Sequence, residues 1–316
     1  MDGDADTATA GEAEPGDPQT CVQLRGHLPD AELDTLCTEL AHFDGSVATA
    51  IDLVDLGLLQ PSTLALLVAS LRQLHHGDVG CLGHITPCHE TDRCLDADAI
   101  AQLARDDGSR WQDCGDGREL GWQIFSSGEG VQRAAHRIVA QLRRNTSWPL
   151  PSVAQMASLA FELSENVRQH SGGNEGVVAL ETDSSGAEVR MAIADTGIGI
   201  RASLARNPKY ADLDDDDDLI AIEAAMCAGE SAEPGAGGGM GLYLARNAVR
   251  RNGGRLLLRS GEARCEEGDE RWPERHLPRL RGTLIGIQAS TDEPLDDDAV
   301  WARVRELGQP RRGAQQ

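Results

Sequence analysis

The sequence predicts an α/β protein in two parts: an N-terminal βαβ unit and a C-terminal two-layer α/β sandwich in which helices cover one face of a mixed sheet. Three patterns predict it. "VATAIDLVDLGLLQPSTLALLVASLRQLHHGDVGCLGHI", residues 47–85, reads as strand, turn, helix and strand. Residues 129–195 read as two amphipathic helices followed by two strands, and residues 240–290 as a helix followed by two more strands. Helices and strands interleaved this way bury their apolar faces as layers of helix on sheet.

The elements follow in chain order. Residues 1–19, "MDGDADTATAGEAEPGDPQ", are acidic and poor in large apolar residues, which predicts a disordered leader. An α/β domain is expected over 20–108. Its first clear strand is the apolar run Val47 to Val54, Pro61 and Ser62 start a helix, and Leu64, Leu67, Leu71 and Leu74 recur at helical spacing. A second helix is expected over 96–105. Residues 109–128, around "DDGSRWQDCGDGRELG", are rich in Gly and Asp and predict a linker.

The second domain is expected over 129–292. "EGVQRAAHRIVAQLRRN" and "PSVAQMASLAFELSENVRQHS" are its helices, the latter started by Pro151 and Ser152 and stopped by Gly172 and Gly173. "GVVALET" and "AEVRMAIAD" form a hairpin about a turn from Asp183 to Gly186. A polar segment over 201–238, with an acidic run from Asp214 to Asp218, leads to a helix over 240–252. The strand "GRLLLRS", a charged loop and the strand "GTLIGIQAS" follow, and 293–316 is a tail.

Composition excludes several functions. A chain of 316 residues with 40% apolar content supports two cores, and its net charge of −23 disfavours nucleic acid and anionic membrane surfaces as partners. No apolar run approaches the ~20 residues that span a bilayer. A cytoplasmic protein with small-molecule and protein partners is expected. Its eight cysteines then read as reduced thiols. Cys81, His84, Cys88, His89 and Cys94 have donors enough for zinc, but their spacing matches no common pair of ligand knuckles and "VGCLGHI" alternates like a strand that buries Cys81. Buried or incidental thiols are the expectation there.

Three motifs carry chemistry. Glu162, Asn166 and His170 fall at i, i+4 and i+8 on one helix, a polar stripe beside the apolar face of Met156, Ala160, Leu163 and Val167. "MAIADTGIGI" ends a strand in Asp195, Gly197 and Gly199, which supplies an acceptor and backbone that can be approached closely. "GAGGGMGLYLARNAV" places Gly237, Gly239 and Gly241 before a helix, where free N–H groups favour an anion.

In this order, E-x-x-x-N, D-x-G-x-G and G-x-G-x-G resemble the GHKL ATPases, the Bergerat ATP-binding fold of gyrase, heat-shock chaperones, histidine kinases and mismatch-repair proteins. The resemblance covers residues 129–290 and includes "RGTLIGI", similar to the family's last strand. It implies ATP and Mg²⁺ as cofactors. Asp195 would accept from the adenine amino group with Thr283 nearby, and Gly197 and Gly199 would let base and lid lie close. Asn166 would hold Mg²⁺, and Glu162 would be the catalytic base. Gly237, Gly239 and Gly241 would cradle phosphates at the start of the helix that Leu242 continues, and 201–236 would form a lid.

"ELSENVRQHS", with His170 four residues after Asn166, resembles the anti-sigma-factor serine kinases. "IDLVDLGLLQPSTLALLVASLRQL" is similar to STAS domains, the substrates of such kinases, with Gln60, Pro61, Ser62 and Thr63 where that family has D-S-S-G. The resemblance implies a Mg-ATP-binding regulator in partner-switching signalling, a protein serine kinase or slow ATPase with a regulatory protein partner. The N-terminal unit is expected to act as a pseudosubstrate that restrains the lid. A vestigial ATP sensor and an atypical histidine kinase, with His136 followed by Arg137, are the alternatives, and a homodimer is left open.

Overall fold

A computed structural model describes residues 20–23, 26–28, 33–41, 49–52, 56–76, 82–86 and 110–295, the last without 115–118, 174, 234–238 and 269. The leader, the helix expected over 96–105, the tail from 296, Gly237 and the side chains of the Cys/His cluster lie outside the described residues.

In the N-terminal part, β1 (Thr20–Gln23), β2 (Gly26–Leu28) and α1 (Leu33–Ala41) precede β3 (Thr49–Asp52), β4 (Leu56–Leu59), α2 (Pro61–His76) and β5 (Leu82–Thr86). β3 pairs in parallel with β5 on one side and β1 on the other. A parallel pair needs a crossover, which α2 supplies, so the expected βαβ unit is present. β2 and β4 form a separate parallel pair.

The second part runs β6 (Gln112–Asp113), β7 (Leu120–Phe125), α3 (Gly128–Asn145), α4 (Leu150–His170), β8 (Gly176–Thr182), β9 (Glu188–Asp195), α5 (Gly199–Leu204), α6 (Asp218–Ala225), α7 (Gly241–Arg251), β10 (Arg255–Gly261), β11 (Ala263–Glu267), β12 (Arg271–Glu274) and β13 (Leu280–Ser290). Its sheet has the order β12-β11-β10-β13-β9-β8-β7-β6. The α/β sandwich is as expected, but every pairing is antiparallel where a mixed sheet was expected. The reason is the place of β13. It enters between β9 and β10 and runs against both, so those two strands share a direction without being neighbours.

The segment expected as a linker holds two strands. β7, "LGWQIF", is buried along its whole length and pairs with β8. A strand covered on both faces loses the alternation that marks a half-exposed one. Gln123 further disguises it, a buried amide whose Nε2 donates to the Gly130 carbonyl at 3.2 Å. The expected charged loop likewise contains the β11–β12 hairpin.

One face of the sheet packs as expected. Val178, Leu180, Met191, Ile193, Leu258, Ile285 and Ile287 meet α3, α4 and α7 in one core. α3 starts at Ser127, whose hydroxyl accepts from the Gly130 N–H. α4 ends where Gly172 turns left-handed at φ 79°.

The opposite face is also covered, which the expected single helical layer did not include. Trp122, Ile124, Val177, Ala179, Ala192, Ala194, Leu257 and Leu284 share a core with Leu33, Leu36 and Cys37 of α1 and with residues 64–69 and Leu71 of α2. Residues 61–72 of α2 are buried throughout, Ser62, Thr63, Ser70 and Arg72 included. Two ion pairs flank the contact: Arg72, 3% exposed, meets both carboxylate oxygens of Glu175 at 3.0 and 2.9 Å, and Arg259, 1% exposed, meets Asp34 at 3.3 Å. Lying on this face, α2 is not in the position of a pseudosubstrate restraining the lid. Ser62 lines a separate cavity with Arg190, Arg255 and Gln288.

A shared core should unfold as one. Leu67→Ala is expected to cost about 2–5 kcal/mol and to lower the urea midpoint of a single transition followed by tryptophan fluorescence. Two separated transitions would show that the parts fold independently.

Candidate functional site

Above the α4 side of the sheet a cleft opens, with about 730 Å³ of empty space counted out into its mouth. It is walled by Asn166 and His170 of α4, Asp195 at the end of β9, Gly199 and Ile200 of α5, Glu230, Gly239, Gly241 and Leu242, and Thr283 of β13. Residues more than a hundred positions apart thus converge. Eight of the sequence-predicted residues line this space: Asn166, His170, Asp195, Gly199, Gly239, Gly241, Leu242 and Thr283.

Asp195 sits opposite Thr283 in the β9–β13 register and is 3% exposed. Burial raises its pKa to about 7, against the opposing effect of backbone N–H groups from Gly197 and Thr283. The Gly197 N–H reaches Oδ1 at 2.8 Å. A carboxyl that is short of solvent and faces a cleft is suited to accept from a ligand donor.

The glycines have separate reasons. Gly197 turns away from this cleft: a Cβ there would lie 2.1 Å from the Ser171 carbonyl oxygen, so the residue is small to let the end of α4 pass. Gly199 takes φ +79°. At Gly241, which opens α7, a Cβ would stand 2.8 Å from Asn166 Nδ2 and 3.7 Å from Glu162 Cβ. This contact seats the helix start directly on the polar stripe.

On that stripe Glu162 is half-buried beside the cleft wall. Burial raises its pKa, with a smaller push from Glu165. Glu165 is held by Arg168 through two contacts of 3.0 and 2.9 Å, whereas Glu162 and Asn166 have no side-chain hydrogen bond among the described residues. Burial lowers the pKa of His170, opposed by Glu233 and reinforced by Arg206, which favours the neutral imidazole at the cleft wall.

The expected lid has structure of its own: α5, a single 3-10 turn at Pro208–Tyr210, and α6. The acidic run does not stay in solvent to its end. Asp218 is buried, meets Arg201 at 3.0 Å and accepts the Glu262 N–H at 2.9 Å, while Asp215 at the surface meets Arg201 at 2.6 Å. On the cleft side, Tyr210 donates to Glu230 at 2.7 Å and Asn207 donates to the Ser231 carbonyl at 2.8 Å.

Sequence reasoning passed over Ser260 and Gly282. Ser260 accepts the Ile200 N–H at 3.0 Å and donates to the Gly282 carbonyl at 2.8 Å, tying α5 to β13. Gly282 takes φ +94° with the Asp195 carbonyl 2.1 Å from where a Cβ would be. It lies inside the quoted "RGTLIGI", and its position before Thr283 was the available signal.

The constellation of α4 stripe, buried strand-end Asp and glycine-opened α7 decides the comparison. Residues 153–276 match the histidine kinase-, DNA gyrase B-, and HSP90-like ATPase family. This segment spans α4 to β12 and contains every predicted site residue but Thr283. No curated protein matches the chain. Residues 153–276 are thus similar to a histidine-kinase-like ATPase domain, a family that binds ATP, and the cleft is built largely from this segment. Among the described residues no helix is long and apolar enough to cross a membrane.

Gly241→Ala should push Asn166 aside and weaken nucleotide binding tenfold or more, about 1.4 kcal/mol, with little loss of helix content. Titration with a fluorescent ATP analogue and circular dichroism check both halves; unchanged affinity would show that Asn166 has room to move.

Proposed function

We propose that this chain binds Mg-ATP and uses it for phosphoryl transfer, as a protein serine kinase or slow ATPase in partner-switching signalling. One observation carries the catalytic reading. Glu162 is a half-buried carboxylate of raised pKa with no hydrogen-bond partner among the described residues, on the stripe that meets the glycine-opened helix. A residue kept only for packing gains nothing from such a placement, whereas a general base needs a free lone pair and a pKa raised toward neutrality. The vestigial-sensor alternative leaves that carboxylate without a use.

In this reading Asp195 accepts from the adenine amino group, and the backbone N–H groups at Gly239 and Gly241 receive the phosphates. His170 donates one ring N–H to the nucleotide. Glu162 takes the proton of the attacking water or hydroxyl.

The donor set fits Mg²⁺. Among the described residues there is no group of three His, Cys, Asp or Glu side chains that could hold a metal alone. Asn166 offers an uncommitted amide oxygen, which suits an ion bound by one or two protein ligands together with phosphate oxygens and water. When bound, Mg²⁺ neutralises phosphate charge. Ser62, 8% exposed and on the other face of the sheet, favours an acceptor on a separate protein over this serine.

Glu162→Gln is expected to leave ATP affinity within about threefold and to lower ADP production by roughly 10²–10⁴. Wild-type protein that makes no ADP and labels no partner in a lysate would establish the sensor instead.

Asp195→Asn should cost about 1.5–3 kcal/mol of binding, the size of a charge-assisted hydrogen bond. The pH dependence has a definite sign. Because the folded-state pKa lies above the ordinary carboxylate range, the apo fold is favoured by the protonated form, and that contribution is lost as pH rises to about 7. Binding runs the other way: affinity should rise with pH up to about 7 and then level. In Asp195→Asn this component should vanish, and identical calorimetric pH profiles for the two proteins would remove the assignment.

A further inference from the structure

The nucleotide site is bounded from behind by the N-terminal unit. β9, which ends in Asp195, presents Met191 and Ile193 to the core of α4 and Ala192 and Ala194 to α2. The small side chains Ala179, Ala192 and Ala194, with Gly286 on β13, leave this face shallow, so α2 packs directly against the strands that hold Asp195 and Thr283.

Both ion pairs end beside residues that frame the cleft. Glu175, the partner of Arg72, precedes Gly176, where a Cβ would lie 2.8 Å from Val167 of the cleft wall and 3.1 Å from the Ala194 carbonyl. At the other end Asp34 of α1 holds Arg259. The next residue, Ser260, binds the Ile200 N–H and the Gly282 carbonyl. Between these anchors a second cavity, lined by Ala69 and Arg72 of α2, Ser171, Glu175, Asp195 and Gly197, reaches the back of the same aspartate.

We propose that the N-terminal unit is an effector domain of the nucleotide site, its docking on the sheet coupled to ATP affinity through β9 and the Arg72–Glu175 and Asp34–Arg259 pairs. The proposal rests on the reading of the cleft as an ATP site. Docked, α2 holds the wall behind Asp195. Loosened, it leaves Asp195, Gly197 and the base of α5 less well placed, and ATP binds more weakly. Coupling of this kind is reciprocal, so ATP must tighten the docking by the same factor. A signal that prises the unit from the sheet would thereby lower ATP occupancy without entering the cleft.

The test uses the full chain. Glu175→Gln, Arg72→Met and Asp34→Asn are compared with wild type in affinity for a fluorescent ATP analogue with Mg²⁺, after thermal unfolding confirms that each variant is folded. Hydrogen exchange of residues 61–76 in the wild type is followed with and without the nucleotide. The expected result is an affinity loss of about fivefold or more in each variant. The Arg72/Glu175 double variant should lose no more than the worse single one, and saturating nucleotide should slow exchange in α2. Affinities within twofold of wild type, with α2 exchange indifferent to nucleotide, would overturn the proposal. If Arg72→Met does not fold, Glu175→Gln and the wild-type exchange decide alone. Wild-type protein that binds no nucleotide would instead overturn the underlying reading, whereas normal binding without coupling would overturn only this one.

Discussion

The pairing of β9 with β13 is the contact on which the site depends, because it sets a carboxylate where water scarcely reaches. Asp195 opposite Thr283 is nearly sealed, and an ionised side chain there is costly unless donors face it. The Gly197 and Thr283 N–H groups supply part of that need and leave capacity toward the cleft. Much of the surrounding backbone follows from holding this arrangement. Gly197 has no side chain because the Ser171 carbonyl occupies the space, and Gly282 is left-handed with the Asp195 carbonyl against it. Side chains at either position would force apart the strand ends that place the aspartate.

Around that point the two halves of the cleft are built differently. The α4 half is rigid. Its polar stripe rides on a helix whose other side is buried under α3, α7 and the sheet, so Glu162, Asn166 and His170 are fixed relative to one another by helical spacing. The lid half is short helices that bury Leu219, Ile222 and Met226 in the same core and are further tied by polar contacts: Arg201 to Asp218, Tyr210 to Glu230, Asn207 to Ser231. Only Asp218 among the five consecutive aspartates is buried, and the Arg201 guanidinium and Glu262 N–H answer its charge.

The sequence disclosed most of this where chemistry or periodicity was undiluted. The α4 stripe, the strand into Asp195 and the glycines before α7 could be read because each joins an unusual polar pattern to a clear helix or strand. β7 could not, since Gly121 and Gln123 break up an apolar run that is buried on both faces. Nor could β11 and β12, whose charged residues pair with one another and with α6 and α7: Arg264 with Glu274, Arg271 with Glu223, Arg246 with Glu267. Ser260 was silent for another reason. Its value lies in two backbone groups brought to it from α5 and β13, and nothing local in "RLLLRSG" marks a hydroxyl that acts at long range.

The largest departure from the sequence reading is the second covering of the sheet, and its cause can be located in residue size. The face under α4 carries Val, Leu, Met and Ile, which hold a helix layer at the usual distance. The face under α2 carries, beside Trp122, Ile124, Val177, Leu257 and Leu284, alanines at 179, 192 and 194 and glycine at 286. Such a face gains burial only if a helix comes close, and the helix that does so must itself be apolar on that side. The apolar side of α2 in the N-terminal unit, and strands that alternate large and small residues further along the chain, are therefore two parts of one packing solution.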